Sequence, residues 1–229
     1  MPFALTILLV VLSVVLALVW RQLRRARRAD FIRSYTLPRG LFDKLRGHHA
    51  QLSQKDCQLV AQALRQFFLA YLAGGCRPVS MPSQVVDDLW HEFILYTRNY
   101  DDFCRQAFGS FLHHTPAVAL GGEKRSNEGL RRCWWHCCHA ENINPASPTR
   151  LPLLFAIDTK LHIAGGFCYA PDCGPLRAQP GDGGAIVIHC GGDFGSASVD
   201  GCTDGFGDGG SDGGGGDGGG DGGGGGCGS

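Results

Sequence analysis

Of the 229 residues, 21 are basic and 21 acidic, but the zero formal charge hides three blocks. Residues 1–33 carry six arginines and one aspartate, residues 34–180 are mildly basic, and residues 181–229 carry eight aspartates and no base. That distribution, without interleaved basic and aromatic residues, argues against a nucleic-acid surface and suits a chain held at an anionic bilayer.

From Phe3 to Trp20 the chain is uncharged, with Thr6 and Ser13 as its hydroxyls, which is about one bilayer crossing. Trp20 stands where an indole favours the interface, and Arg21, Arg24, Arg25, Arg27 and Arg28 follow it. The positive-inside rule then predicts a single-pass anchor with the bulk of the chain in the cytosol. A cleaved signal peptide would want a charged segment before the apolar run and a small-residue cleavage site after it, and neither stands there. On the reducing side of a membrane the eleven cysteines, an odd number, are expected to be mostly free thiols.

Residues 34–180 read as one all-α domain, about 147 residues and long enough to bury a core without disulfides or metal. Ser53 and Asp56 open a helix whose apolar residues from Leu59 to Leu72 recur at helical spacing, and Gly74-Gly75 stops it. Ser83 caps a second helix with Val85, Val86, Leu89, Trp90, Phe93, Ile94 and Tyr96 on one half of the cylinder and Asp87, Asp88, His91, Glu92 and Arg98 on the other. A shorter helix from Tyr100 to Phe108 ends at Gly109, after which the segment from Phe111 to His114 turns away before Pro116. Another helix starts at Ser126 or Asn127 and runs to about Glu141. Leu151 to Asp158 reads as proline at a first helical turn with an apolar body, and the apolar pattern continues from Leu161 to Tyr169. The best alternating pattern is Ala185 to Ile188. Twenty-four of the last 49 residues are glycine, so residues 181–229 are expected to form a disordered acidic tail.

Two groups of residues could carry chemistry. Asp87 and His91 are four apart on one helix face, Cys104 follows in the next helix, and His113 and His114 lie beyond a turn. A thiolate with imidazoles favours zinc, whereas the plainer reading is a hydrogen-bonded Asp87–His91 pair, a core cysteine and histidines that cap a turn. In the second group Cys133, His136 and Cys137 share a helix face, with Cys168 and Cys173 as further ligand candidates; buried cysteines beside a tryptophan, with histidines at the rim, are the favoured reading. No nucleophile elbow, phosphate loop or HExxH motif is present, Leu95 standing where the second histidine of HExxH would fall.

The stretch from Asp88 to Leu95, followed by Tyr100, Cys104, Gly109 and His113-His114, resembles the glycine-rich domain-containing protein family, whose pattern is D-x-x-W-H-x-H or a variant, then Tyr, Cys and a distal His. Leu151 to Asp158 looks like part of its bacterial, membrane-anchored branch. The resemblance covers roughly residues 50–175 and implies a helical domain, tied in eukaryotic relatives to stress and development rather than to a reaction. It matches at His91, Cys104 and His113 and departs at Glu92-Phe93, where a second histidine often stands. Two functions are therefore expected, the first as the main reading and the second as its alternative. One is a non-catalytic, membrane-anchored scaffold for an unidentified protein partner, with the tail as spacer. The other is a zinc-type enzyme with His91, Cys104, His113 and His114 as the metal-ligand candidates and Asp87 or Glu92 beside them, acting as a general base.

Overall fold

Helix α1 (Pro2–Ser34) runs unbroken from the apolar stretch through the arginines. At the usual rise, 33 residues extend about 50 Å. Its large apolar side chains from Phe3 to Leu23 are exposed, and it is long and apolar enough to cross a membrane, a test that an N-terminal signal sequence also passes. The computed structural model describes residues 2–114, 123–171 and 188–194, and the last turns of α1 belong to the helical domain rather than to a linker. Ile32 is fully buried, while the Phe31 and Tyr35 rings pack on Phe103 at 5.9 and 4.8 Å. Two of the arginines also reach the helical domain, Arg28 partly buried and Arg25 exposed. Arg28 lies over Gly109, whose positive φ of 83° suits glycine and where a Cβ would collide with the guanidinium. Burial pushes the Cys76 thiol up, and Arg28 and Arg25 oppose that shift.

The fold is mostly helical, as the apolar spacing predicts. A short α2 (Leu41–His48), which the sequence reading leaves out, buries Leu41 and Leu45. Helix α3 (Gln54–Ala73) opens on a full capping box between Ser53 and Asp56, which satisfies two otherwise unpaired donors. In α4 (Gln84–Leu95), Ser83 accepts from Val86 N–H, and Val85, Val86, Leu89, Trp90 and Phe93 face the core. Helix α5 (Thr97–Ala107) buries Tyr100, Phe103 and Cys104. Phe67, Phe68, Trp90, Phe103 and Phe108 then interlock with ring centroids 4.9–6.1 Å apart, a range favourable for aromatic pairs.

Helix α6 (Glu123–Ala140) begins earlier than expected, and α7 (Leu153–Lys160) follows the proline as read. Beyond α7 the apolar run forms a short strand, β1 (Cys168–Ala170), instead of more helix. It pairs in parallel with β2 (Ile188–Cys190), Cys168 opposite Ile188, and a single turn, α8 (Gly191–Phe194), follows. Phe194 is buried and sits 5.9 Å from the Trp134 ring. A strand partner and a buried phenylalanine thus lie past residue 180, where the helical domain is expected to end. Residues 195–229, most of the expected tail, lie outside the described residues. So does the expected start of α6 in its side chains, since Ser126 and Asn127 are described as helix only.

Candidate metal centre

Burial of the apolar half of α4 leaves Asp87, Asp88, His91 and Glu92 along its opposite edge, and each carboxylate meets an imidazole. His49 Nε2 lies 2.7 Å from Asp88, and His48 Nε2 lies 3.0 Å from Glu92. The third carboxylate meets two rings: Asp87 Oδ1 is 3.0 Å from His114 Nε2, and its Oδ2 is 3.6 Å from His91 Nδ1. Ligand atoms of Asp87, His91 and His114 all lie within 4.8 Å of one another. Bonds of about 2.1 Å to a tetrahedral ion would set neighbouring donors about 3.4 Å apart; the two imidazoles face different oxygens of Asp87, so one carboxylate oxygen would have to swing between them to complete the set. One carboxylate and two imidazoles make a donor set that suits zinc or another divalent transition metal and leaves coordination positions open.

A hydrogen-bonded strut sets the position of His114. Trp90 Nε1 donates to the Tyr100 hydroxyl at 3.1 Å, and that hydroxyl donates to the Leu112 carbonyl at 2.6 Å. The non-helical segment after α5 is thereby fixed two residues before His114, whose ring meets Trp90 edge-on at 4.6 Å and lies tilted against His91 at 4.2 Å. At the other end, the start of α4 is held by Asp158. Its carboxylate accepts from Ser83 Oγ at 2.7 Å, Gln84 N at 2.7 Å, Val85 N at 3.3 Å and Phe167 N at 2.9 Å.

Of the ligand candidates read from the sequence, His91 and His114 come together and the other two stand apart from them. Cys104 is fully buried and hydrogen-bonded to the Leu112 backbone and the Tyr100 hydroxyl; burial pushes its thiol up, which disfavours the thiolate that a metal needs. The His113 ring packs on Phe111 at 4.7 Å, away from the α4 edge. Asp87, expected to stand beside the ligands, takes the place in the triad that was given to Cys104, and Glu92 is engaged by His48. In the second group, Cys133 and Cys137 are both fully buried with sulfurs 4.0 Å apart. They form no metal-binding set with a third group among the described residues. Cys168 is disulfide-bonded, an exception to the expectation of mostly free thiols, whereas Cys57, Cys76, Cys104, Cys133, Cys137 and Cys138 are free. Cys173 lies outside the described residues. His48, His49 and Asp158 were missed as partners of α4. The Leu41/Leu45 spacing before His48-His49 would have revealed α2 but not what its histidines meet.

A match to the UCP032817-like family spans residues 27–194. The chain belongs to the UCP032817-like family. The resemblance to the glycine-rich domain-containing proteins is corrected by this match: Trp90, Tyr100 and Cys104, which carried it, are here core residues and a strut, a use of aromatic and thiol side chains that needs no shared ancestry. The match begins at residue 27, inside α1, and ends at Phe194. The UCP032817-like region thus covers the basic end of the first helix and the strand pair as well as the helices between. No curated protein and no solved structure matches the chain.

Proposed function

We propose that this is a membrane-tethered, metal-dependent protein that holds a zinc-type ion on Asp87, His91 and His114. The observation that carries the reading is the convergence of one carboxylate and two imidazoles from α4 and the segment after α5. It favours the metal-dependent alternative over a metal-free scaffold. With three protein ligands, such an ion keeps a position open for water or a ligand oxygen and acts on it as a Lewis acid. Asp87 sets the charge of the site, His114 is oriented by Trp90 and Tyr100, and His91, with a side chain 51% exposed, keeps the site accessible. Full-length protein in phosphatidylcholine nanodiscs, loaded with zinc and dialysed, should retain about one zinc per chain by elemental analysis. His114→Ala and Asp87→Ala should lose it, and Cys104→Ser and His113→Ala should keep it. Absence of stoichiometric metal in the wild type, or equal retention by His114→Ala, would show that these side chains form ion pairs only.

For the tether, α1 acts as an uncleaved single-pass anchor, and the arginines after Trp20 favour the cytosolic side for the domain. The disulfide at Cys168 pulls the other way, since such bonds persist on the oxidising side. A reporter fused after Ser229 decides between them: signal from a reporter that works only in the cytosol is expected, and signal from one that works only outside it would reverse the orientation.

A further inference from the structure

A cleft of about 560 Å³ opens beside the candidate metal centre, within the size range of small-molecule sites. Phe67, Tyr71, Val79, Met81, Trp90 and Phe111 give it largely apolar walls. His114 belongs to both the cleft and the imidazole–carboxylate group, so the cleft touches that group through one of its three members. Arg132, 5% exposed, also lines it, and the one carboxylate among the lining residues, Glu128, is exposed. The cleft therefore has apolar walls along most of its surface, with the Arg132 guanidinium at its wall, held on the Pro78 carbonyl, and a divalent ion on Asp87, His91 and His114 would add positive charge at its end.

An occupant that matches both parts must be apolar along its length and anionic at its end, because burying a charge away from a partner is costly. We propose that the cleft binds a single-chain amphiphile with an anionic oxygen head, a medium-chain carboxylate. Its chain lies along Phe67, Tyr71, Val79 and Met81, and its head fills the open position of the ion on Asp87, His91 and His114. This rests on the metal reading above. A tether at the bilayer fits such a ligand, since amphiphiles of this kind partition there.

The test uses full-length protein in phosphatidylcholine nanodiscs and radiolabelled octanoate, with uptake by empty nanodiscs subtracted. Zinc-loaded protein should bind one octanoate, and removing zinc with EDTA should weaken binding by at least about tenfold, the loss of one coordinating contact. 1-Octanol, equal in length but without the carboxylate, should bind with no dependence on zinc. Val79→Trp, which fills the cleft, should abolish octanoate binding and keep the zinc. Zinc-loaded protein that takes up no octanoate, or binds it equally after EDTA, overturns the ligand and leaves the metal centre standing. A wild type that holds no zinc overturns the metal centre and this proposal together.

Discussion

Asp158→Asn is expected to lower the stability of the domain by about 4 kcal/mol. Asp158 is 2% exposed, and all four of its partners are donors: one hydroxyl and three backbone N–H groups. An ionised carboxylate accepts from all of them, whereas an asparagine of the same shape must turn its own NH₂ toward at least one pair. Donors would then face donors without water to separate them, and each unsatisfied group costs about 1–3 kcal/mol. For a domain of this size the melting temperature should fall by about 12 °C. Because three of the donors belong to Ser83, Gln84 and Val85, the first turn of α4 should loosen and metal retention should fall with it. A shift below about 3 °C in a thermal melt would show that Ser83 alone is a sufficient cap.

The second large effect is a loss of stability in mild acid centred on His136. Burial holds its pKa down, from 6.5 to about 4, with His139, Arg132 and Arg25 adding to the shift, and its Nε2 is buried without a hydrogen-bond partner. The unfolded chain therefore binds a proton more readily than the folded one between those values. Stability is complete above pH 6.5, declines as the pH falls toward 4, and levels off below it. With allowance for the solvent that reaches the ring, the loss is about 2 kcal/mol. Urea midpoints at pH 7.5, 5.5 and 4.5 should fall in that order, and His136→Gln should flatten the decline. Glu141 contributes in a lower window. Burial alone would raise its pKa, but Leu153 N–H, Gln66 and Arg150 outweigh that and hold it below 4.5. An unchanged slope in His136→Gln would assign the acid sensitivity to other groups.

The parts of the fold legible in the sequence are those governed by neighbours along the chain. Ser53 with Asp56, Ser83 before an amphipathic helix, and Gly109 after α5 depend on residues within one turn, and each does what its spacing implies. Asp158 could not be read this way. It ends an apolar helical stretch like any exposed acid, and three of its partners are 73–75 positions away. The candidate metal centre is half legible for a related reason. Asp87 and His91 share a helix face at i and i+4, but His113 and His114 are adjacent in a non-helical segment, where sequence cannot tell which ring turns inward. That choice is made by the Tyr100 hydroxyl on the Leu112 carbonyl. Cys104 carries the attraction of any thiol to a ligand search, yet its position four residues after Tyr100 on the same face is that of a core side chain. The β1–β2 pair escapes notice because two three-residue strands that meet across 17 intervening residues have too little pattern of their own.

The absence of a break in α1 has a mechanical consequence. Counting from Trp20 to the buried Ile32, about 18 Å of helix joins the apolar stretch to the core, and no glycine or proline interrupts it. With α1 as the anchor, the domain is mounted on a stiff mast instead of a cord. The altitude of Asp87, His91 and His114 above the headgroups is then set by helix geometry, and any change in lipid thickness that leans the mast swings the site by the same angle. Cutting that mast with a flexible insert between Arg21 and Arg24 would leave the domain folded and the site intact while freeing it to wander over the membrane surface.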